Sequence, residues 1–215
     1  NSTHSTLQLC ADALQAGADT LLVVAPYYNK PSQEGLLAHY AAIAQATPLP
    51  VVLYNIPSRS IINIEATTMA QLRQQHPTIV GVKQSHPNMD EATAIKQLCP
   101  ADFLLWSGDD SLTLPMMAIG AQGVVSVASH VVGRGIKTLI QALDSGDLAA
   151  AQQTHQALFN LFRQLFVLPN PTVVKAVLAQ LGFIKTPQLR LPLVSTPLHF
   201  KETLDELTTH VQALA

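Results

Sequence analysis

The sequence predicts an α/β fold built on a parallel sheet, and three observations carry that prediction. Five short apolar runs have strand length and little alternation, the pattern of strands buried on both faces. Helical patterns separate successive runs. The runs start at residues 20, 50, 79, 103 and 123. That is the pitch of βα units joined by right-handed crossovers, about 20–30 residues.

The elements follow in order. Thr6 to Gly17 reads as a helix with Leu7, Cys10, Ala11 and Leu14 on one face and Gly17 as its stop. Thr20 to Ala25 is the first strand. Ser32 caps a helix to Ala46 that turns Leu36, Leu37, Tyr40 and Ile43 inward. Pro50 to Ile56 is the second strand, and Ile64 to Gln75 a helix with Met69 and Leu72 inward. Ile79 to Gln84 is the third strand, followed by a helix over Asn88 to Leu98. Phe103 to Ser107 and Gly123 to Ala128 are the last two strands. Between them Asp110 reads as the N-cap of a helix ending at Ile119. Beyond residue 133 only helices are expected: Gly135 to Leu143, Leu148 to Phe166, Thr172 to Leu181 and Phe200 to Leu214. The domains expected are therefore an α/β part over residues 1–146 and a helical part over 147–215. Five βα units in a row fit either a doubly wound sheet or a (β/α)₈ barrel.

Composition excludes several classes. The 215 residues are 48% hydrophobic and 12% charged, which excludes disorder. No apolar run reaches the ~18 residues that span a bilayer. A net charge of -2 with no basic stripe argues against a nucleic-acid partner. No GxGxxG or GxxxxGK[ST] follows a strand, so a dinucleotide or P-loop site has no support. Cys10 and Cys99 read as buried thiols of a reducing compartment, which favours the cytoplasm. The eight histidines show no zinc-ligand spacing. No metal and no organic cofactor is expected.

Lys83 is the residue that least suits a plain core. It is the single Lys or Arg within the five strand runs, among Ile79, Val80 and Val82. Desolvation disfavours an ammonium. A neutral amine at the end of a parallel strand is a nucleophile able to form a Schiff base with a carbonyl compound. The alternative is a strand-end lysine that reaches water or pairs with a carboxylate. Tyr54, near the end of the preceding strand, can relay the protons that imine formation requires. Alternatively it is a rim tyrosine bonded to backbone. Arg59, five residues on, offers a fork for a carboxylate, or is an ordinary surface arginine. Tyr27 and Tyr28, held between prolines, form a stiff aromatic projection suited to an interface or an active site. Gly108-Asp109-Asp110 reads as a capped strand-to-helix loop in preference to a divalent-metal site.

These segments, taken in order as PYYNKPSQEGL, VVLYNIPSRS, IVGVKQS, LLWSGDD, GVVSV and LFVLPNPTVVK, resemble the dihydrodipicolinate synthase family of the N-acetylneuraminate lyase superfamily. The resemblance covers essentially the whole chain. It implies a (β/α)₈ barrel with a C-terminal helical domain, assembled as a homotetramer. It implies condensation of pyruvate with L-aspartate 4-semialdehyde on the route to diaminopimelate and lysine. Lys83 would form the pyruvate imine, Tyr54 would donate and accept protons, and Tyr28 would complete a relay from a neighbouring subunit. Arg59 would receive the semialdehyde carboxylate. Val125, through its backbone, and Gly108 would line the pyruvate pocket. Tyr27 and Asn1 match an interface pocket where some members bind lysine. That pocket has an acidic residue where Ser5 stands here, so lysine inhibition is not expected.

Three stretches depart from the family pattern: Lys83-Gln84-Ser85-His86-Pro87, Arg59-Ser60-Ile61 and Ala128-Ser129-His130. They leave room for altered kinetics or another aldehyde. Two alternatives stay open: a sister pyruvate aldolase, such as N-acetylneuraminate lyase or a 2-keto-3-deoxy sugar acid aldolase, and an inactive barrel kept for an interaction. Tyr28 and Arg59 favour the synthase over the sister aldolases.

Five strands are visible and a closed barrel needs eight. The expectation is therefore a fragment lacking its first three βα units, about 75–90 residues. Such a chain would be unstable or aggregate through its open sheet. A soluble monomer that melts cooperatively would contradict this.

Overall fold

The computed structural model describes residues 1–214. Five parallel strands form one sheet in sequence order: β1 (Leu21–Val24), β2 (Val51–Asn55), β3 (Ile79–Gln84), β4 (Leu104–Ser107) and β5 (Gly123–Val124). The helices of this part are α1 (Thr3–Gln15), α2 (Gln33–Ala46), α3 (Pro57–Ser60), α4 (Ala66–Gln75), α5 (Met89–Leu98) and α6 (Thr113–Ala118). Four more follow: α7 (Ser129–Asp144), α8 (Leu148–Gln164), α9 (Thr172–Gln180) and α10 (Lys201–Leu214). Two compact units result, residues 1–125 and 126–215.

In the first unit the core lies between sheet and helices, around Leu36, Ile43, Leu53, Met69, Ile79, Ile95 and Leu105. The start of α2 follows the cap read from the sequence, whereas Asn88, expected as the first residue of its helix, is the cap of α5. Ser32 accepts from the Gly35 N–H at 3.2 Å and Asn88 from the N–H groups of Asp90 and Glu91. Gly17, at φ +83°, ends α1 in the left-handed conformation that a residue with a Cβ rarely adopts.

Several boundaries and faces depart from expectation. Helix α1 begins three residues early, because Ser2 rather than a later residue caps it. Its inward row is Leu7, Cys10 and Ala13, whereas Ala11 and Leu14 are exposed. The i+3 row meets the core there, not the i+4 row. Asp109, not Asp110, is the cap after β4. Its carboxylate accepts from the Ser111 N–H at 2.9 Å and opens a 3₁₀ turn at 110–112, while Asp110 is buried. Strand β5 has two residues instead of six. The Ser126 hydroxyl accepts from the Ser129 N–H at 2.8 Å and turns the chain into α7. Helix α7 itself starts six residues before its expected limit and kinks at Val132, φ -130° and ψ 39°.

Both cysteines are free and buried, and burial pushes the Cys99 thiol up to about 11. His39 of α2 is buried, with Nδ1 2.9 Å from the Thr3 hydroxyl and its ring edge-on to Tyr40. Burial lowers its pKa, and the positive amino terminus acts the same way. The folded ring therefore stays neutral at a pH where the unfolded ring, near about 6.5, takes up a proton. His39 thus contributes stability above the unfolded pKa that is lost as pH falls below it. Chemical denaturation of His39→Gln from pH 7.5 to 5 should show a shallower fall in stability than the parent chain. An unchanged slope would assign the acid sensitivity elsewhere.

Among the described residues no helix is long and apolar enough to cross a membrane.

Candidate active site

Parallel pairing places Val24, Tyr54, Lys83, Trp106 and Gly123 in one row across the sheet. Partners in a parallel ladder point to the same face. Lys83 and Tyr54 therefore project together from neighbouring strands. The Lys83 Nζ lies 4.0 Å from the centroid of the Tyr54 ring. Both side chains are half-buried, and Trp106 flanks Lys83 on the other side.

The alignment depends on a bulge. Val51 pairs with Ile79, but Val52 pairs with Gly81, so β3 carries one extra residue. Without it Tyr54 would face Val82, and Lys83 would point to the opposite face. Gly81 itself is pressed against β4. A Cβ there would meet the Leu104 carbonyl oxygen at 2.4 Å.

The next row, Asn55, Gln84 and Ser107, is fully buried on the helix side. The Asn55 amide donates to Asn63 Oδ1 at 2.7 Å and to Gln84 Oε1 at 2.9 Å, and Asn55 Oδ1 accepts from the Ile64 N–H. Gln84 Nε2 in turn donates to Glu91 Oε2 at 3.2 Å, the oxygen that lies 3.0 Å from His86 Nδ1. Asn63 donates to the other Glu91 oxygen. Gln84 accepts on one side and donates on the other. A carboxylate in its place would meet Glu91 with like charge. Gln84 is thus matched to its surroundings, and the network ties the ends of β2 and β3 to α5.

Gly108 follows β4, its N–H donating to the Gln84 carbonyl at 2.8 Å. A Cβ at Gly108 would stand 1.8 Å from Ser85 Oγ and 3.0 Å from Lys83 Cε. The glycine therefore leaves the space that these two side chains fill. Val125 is exposed, and its N–H donates to the Ser107 carbonyl at 2.8 Å, extending the ladder past β5.

The remaining expected residues lie further from this group. Tyr28 is 81% exposed and holds φ +76°, a strained conformation for a side chain of its size. Arg59 is exposed, in the one-turn helix α3, which ends on Ile61 at φ +71°. Pro57 at the first position starts that turn. Tyr27 and Asn1 line one groove of about 450 Å³ with Cys10 and His39. The Asn1 carbonyl accepts from the Asn29 side chain at 2.8 Å.

Two neighbours of Lys83 escaped the sequence reading. Trp106 looks like one more apolar strand residue until pairing sets it beside the lysine. Ser85 had a usable signal, because it stands two residues beyond Lys83 and strand residues two apart share a face.

The chain matches the model of the Dihydrodipicolinate synthetase family over residues 1–212. It is 47% identical over 204 residues to the 4-hydroxy-tetrahydrodipicolinate synthase of Moorella thermoacetica, covering 95% of this chain and 69% of that one. It is 49% identical over 195 residues to the enzyme of that name from Listeria welshimeri, covering 90% of this chain and 66% of the relative. The crystal structure of dihydrodipicolinate synthase from Aquifex aeolicus superposes with a TM-score of 0.95 at 43% identity, over 99% of this chain and 72% of that one. The chain thus spans roughly two thirds of the length of these relatives. Sequence and fold agree over nearly all of its length, and the chain belongs to the dihydrodipicolinate synthetase family.

Proposed function

We propose that this chain carries the imine-forming residues of a synthase that condenses pyruvate with L-aspartate 4-semialdehyde to 4-hydroxy-tetrahydrodipicolinate. The observation that supports it best is the Lys83 amine 4.0 Å from the Tyr54 ring on one face of the sheet. Lys83 Nζ attacks the ketone carbon of pyruvate, and the carbinolamine expels water to leave the imine. The imine draws electrons from the methyl group, which loses a proton to give an enamine. The enamine carbon adds to the aldehyde, whose oxygen takes up a proton, and the amino group of the semialdehyde then attacks the imine carbon, closing the ring and expelling Lys83 as the free amine. Tyr54 supplies and removes these protons.

The other assignments belong to the same reading. Tyr28 extends the proton relay from a neighbouring subunit of a homotetramer. Arg59 binds the semialdehyde carboxylate, and Val125 and Gly108 line the pyruvate pocket. Tyr27 and Asn1 sit at the interface. Residues 1–146 are part of a (β/α)₈ barrel, and residues 147–215 belong to a C-terminal helical domain. The free, buried thiols suit a cytoplasmic enzyme.

Incubation with pyruvate and borohydride should add a reduced pyruvyl group to Lys83, read by peptide mass. Turnover with the semialdehyde should follow. Absence of the adduct overturns the proposal. An adduct without turnover of the semialdehyde points to a sister aldolase. Tyr54→Phe should lower kcat by about 10²–10⁴ while the adduct still forms, more slowly. Wild-type kcat in that variant would remove Tyr54 from the proton path.

A further inference from the structure

The Ser85 hydroxyl is buried and has no hydrogen-bond partner among the described residues. Leaving a buried hydroxyl unpaired is unfavourable. Such a group in a packed region calls for an explanation. Its location supplies one. Ser85 continues β3 beyond Gln84, with its N–H donating to the Asn55 carbonyl at 2.8 Å. That ladder bond keeps the period of the strand, so Ser85 shares the face of Lys83. The point where a Gly108 Cβ would stand lies within 3.0 Å of both Ser85 Oγ and Lys83 Cε. The hydroxyl and the end of the lysine stem therefore converge over the backbone of Gly108.

We propose that Ser85 is a positioning residue for the Lys83 amine: its hydroxyl, unpaired while the lysine nitrogen lies over the Tyr54 ring, takes up a hydrogen bond to that nitrogen when it turns toward the carbonyl carbon of a 2-oxoacid. The inference rests on the reading of Lys83 as the imine-forming residue. A serine hydroxyl both donates and accepts. It can serve the free amine as a donor and the N–H of the carbinolamine or the protonated imine as an acceptor. Gly108 is then needed for more than access to the pocket, because any side chain there displaces the hydroxyl from the lysine. Ser85 and Gly108, twenty-three positions apart, thus set one rotamer.

The test is the rate of pyruvate adduct formation, followed by quenching into borohydride at timed intervals. Ser85→Ala should slow formation about tenfold, the size expected for one buried hydrogen bond. The KM for the aldehyde should stay within about twofold, because the lysine acts before the aldehyde binds. Ser85→Cys keeps the volume and loses most of the hydrogen bonding, so it should behave like Ser85→Ala. It also serves if the alanine variant fails to fold. Ser85→Thr retains the hydroxyl and should recover part of the rate. A folded Ser85→Ala or Ser85→Cys protein with the parent's adduct rate overturns the inference and leaves the role of Lys83 standing. Absence of any adduct in the parent protein overturns the reading of Lys83, and this inference with it.

Discussion

Lys83→Ala should abolish the borohydride-trapped pyruvate adduct and lower turnover by about a thousandfold or more, while leaving folding at the level of the parent protein. The chemical loss follows from removing the nucleophile on which every later step depends. The fold should survive because Lys83 is half-buried and its contact with Tyr54 is a cation–π interaction, worth about 0.5–1 kcal/mol at such sites. Lys83→Arg separates charge from nucleophilicity. Arginine keeps a cation over the Tyr54 ring, but its guanidinium stays protonated and does not attack a carbonyl. It should restore the melting temperature and none of the adduct. Trapping that persists in Lys83→Ala would place the chemistry on another lysine.

Gly81→Ala should be the most damaging single methyl in the sheet. The new Cβ would lie 2.4 Å from the Leu104 carbonyl oxygen and 2.9 Å from the Leu104 Cβ. The first obstacle is backbone, so no rotamer change relieves it. Strands β3 and β4 must separate or slip. Overpacking of this kind costs about 1–3 kcal/mol, occasionally more. For a chain of this size that corresponds to a fall in Tm of roughly 2–12 °C. Adduct formation should fall as well in the protein that remains folded, because the same pairing sets Lys83 beside Trp106. A Tm within a degree of the parent would mean that the strands accommodate the methyl.

Much of this was legible from local chemistry. Ser32 announces a helix start because a short polar side chain before an apolar helical pattern satisfies the first N–H groups. Gly17 announces an end because a residue without a Cβ adopts φ +83° at no steric cost. The runs around Val51 and Ile79 read as strands because β-branched residues pack well on a pleated surface. The misread positions share a cause. Asp109 and Asp110 are equally good caps by residue type, and only the path of the chain after β4 selects the first. GVVSVA has the residues of a longer strand, yet the Ser126 hydroxyl bond to Ser129 turns it after two. Arg59 sits on a turn of helix that is too short to leave a period in the sequence.

The order of the five strands, the buried apolar set, and the oddity of one lysine among β-branched residues are properties of the sequence alone. They follow from periodicity, propensity and the cost of burying a charge. Which way Lys83 points was decided only in three dimensions. A strand that is apolar on both faces carries no pattern to mark inside from outside. The one-residue bulge opposite Val51 and Val52 therefore sets the parity of β3. It is the packing of β2 and β4 against Gly81 that turns Lys83 toward Tyr54 and brings Ser85 over Gly108.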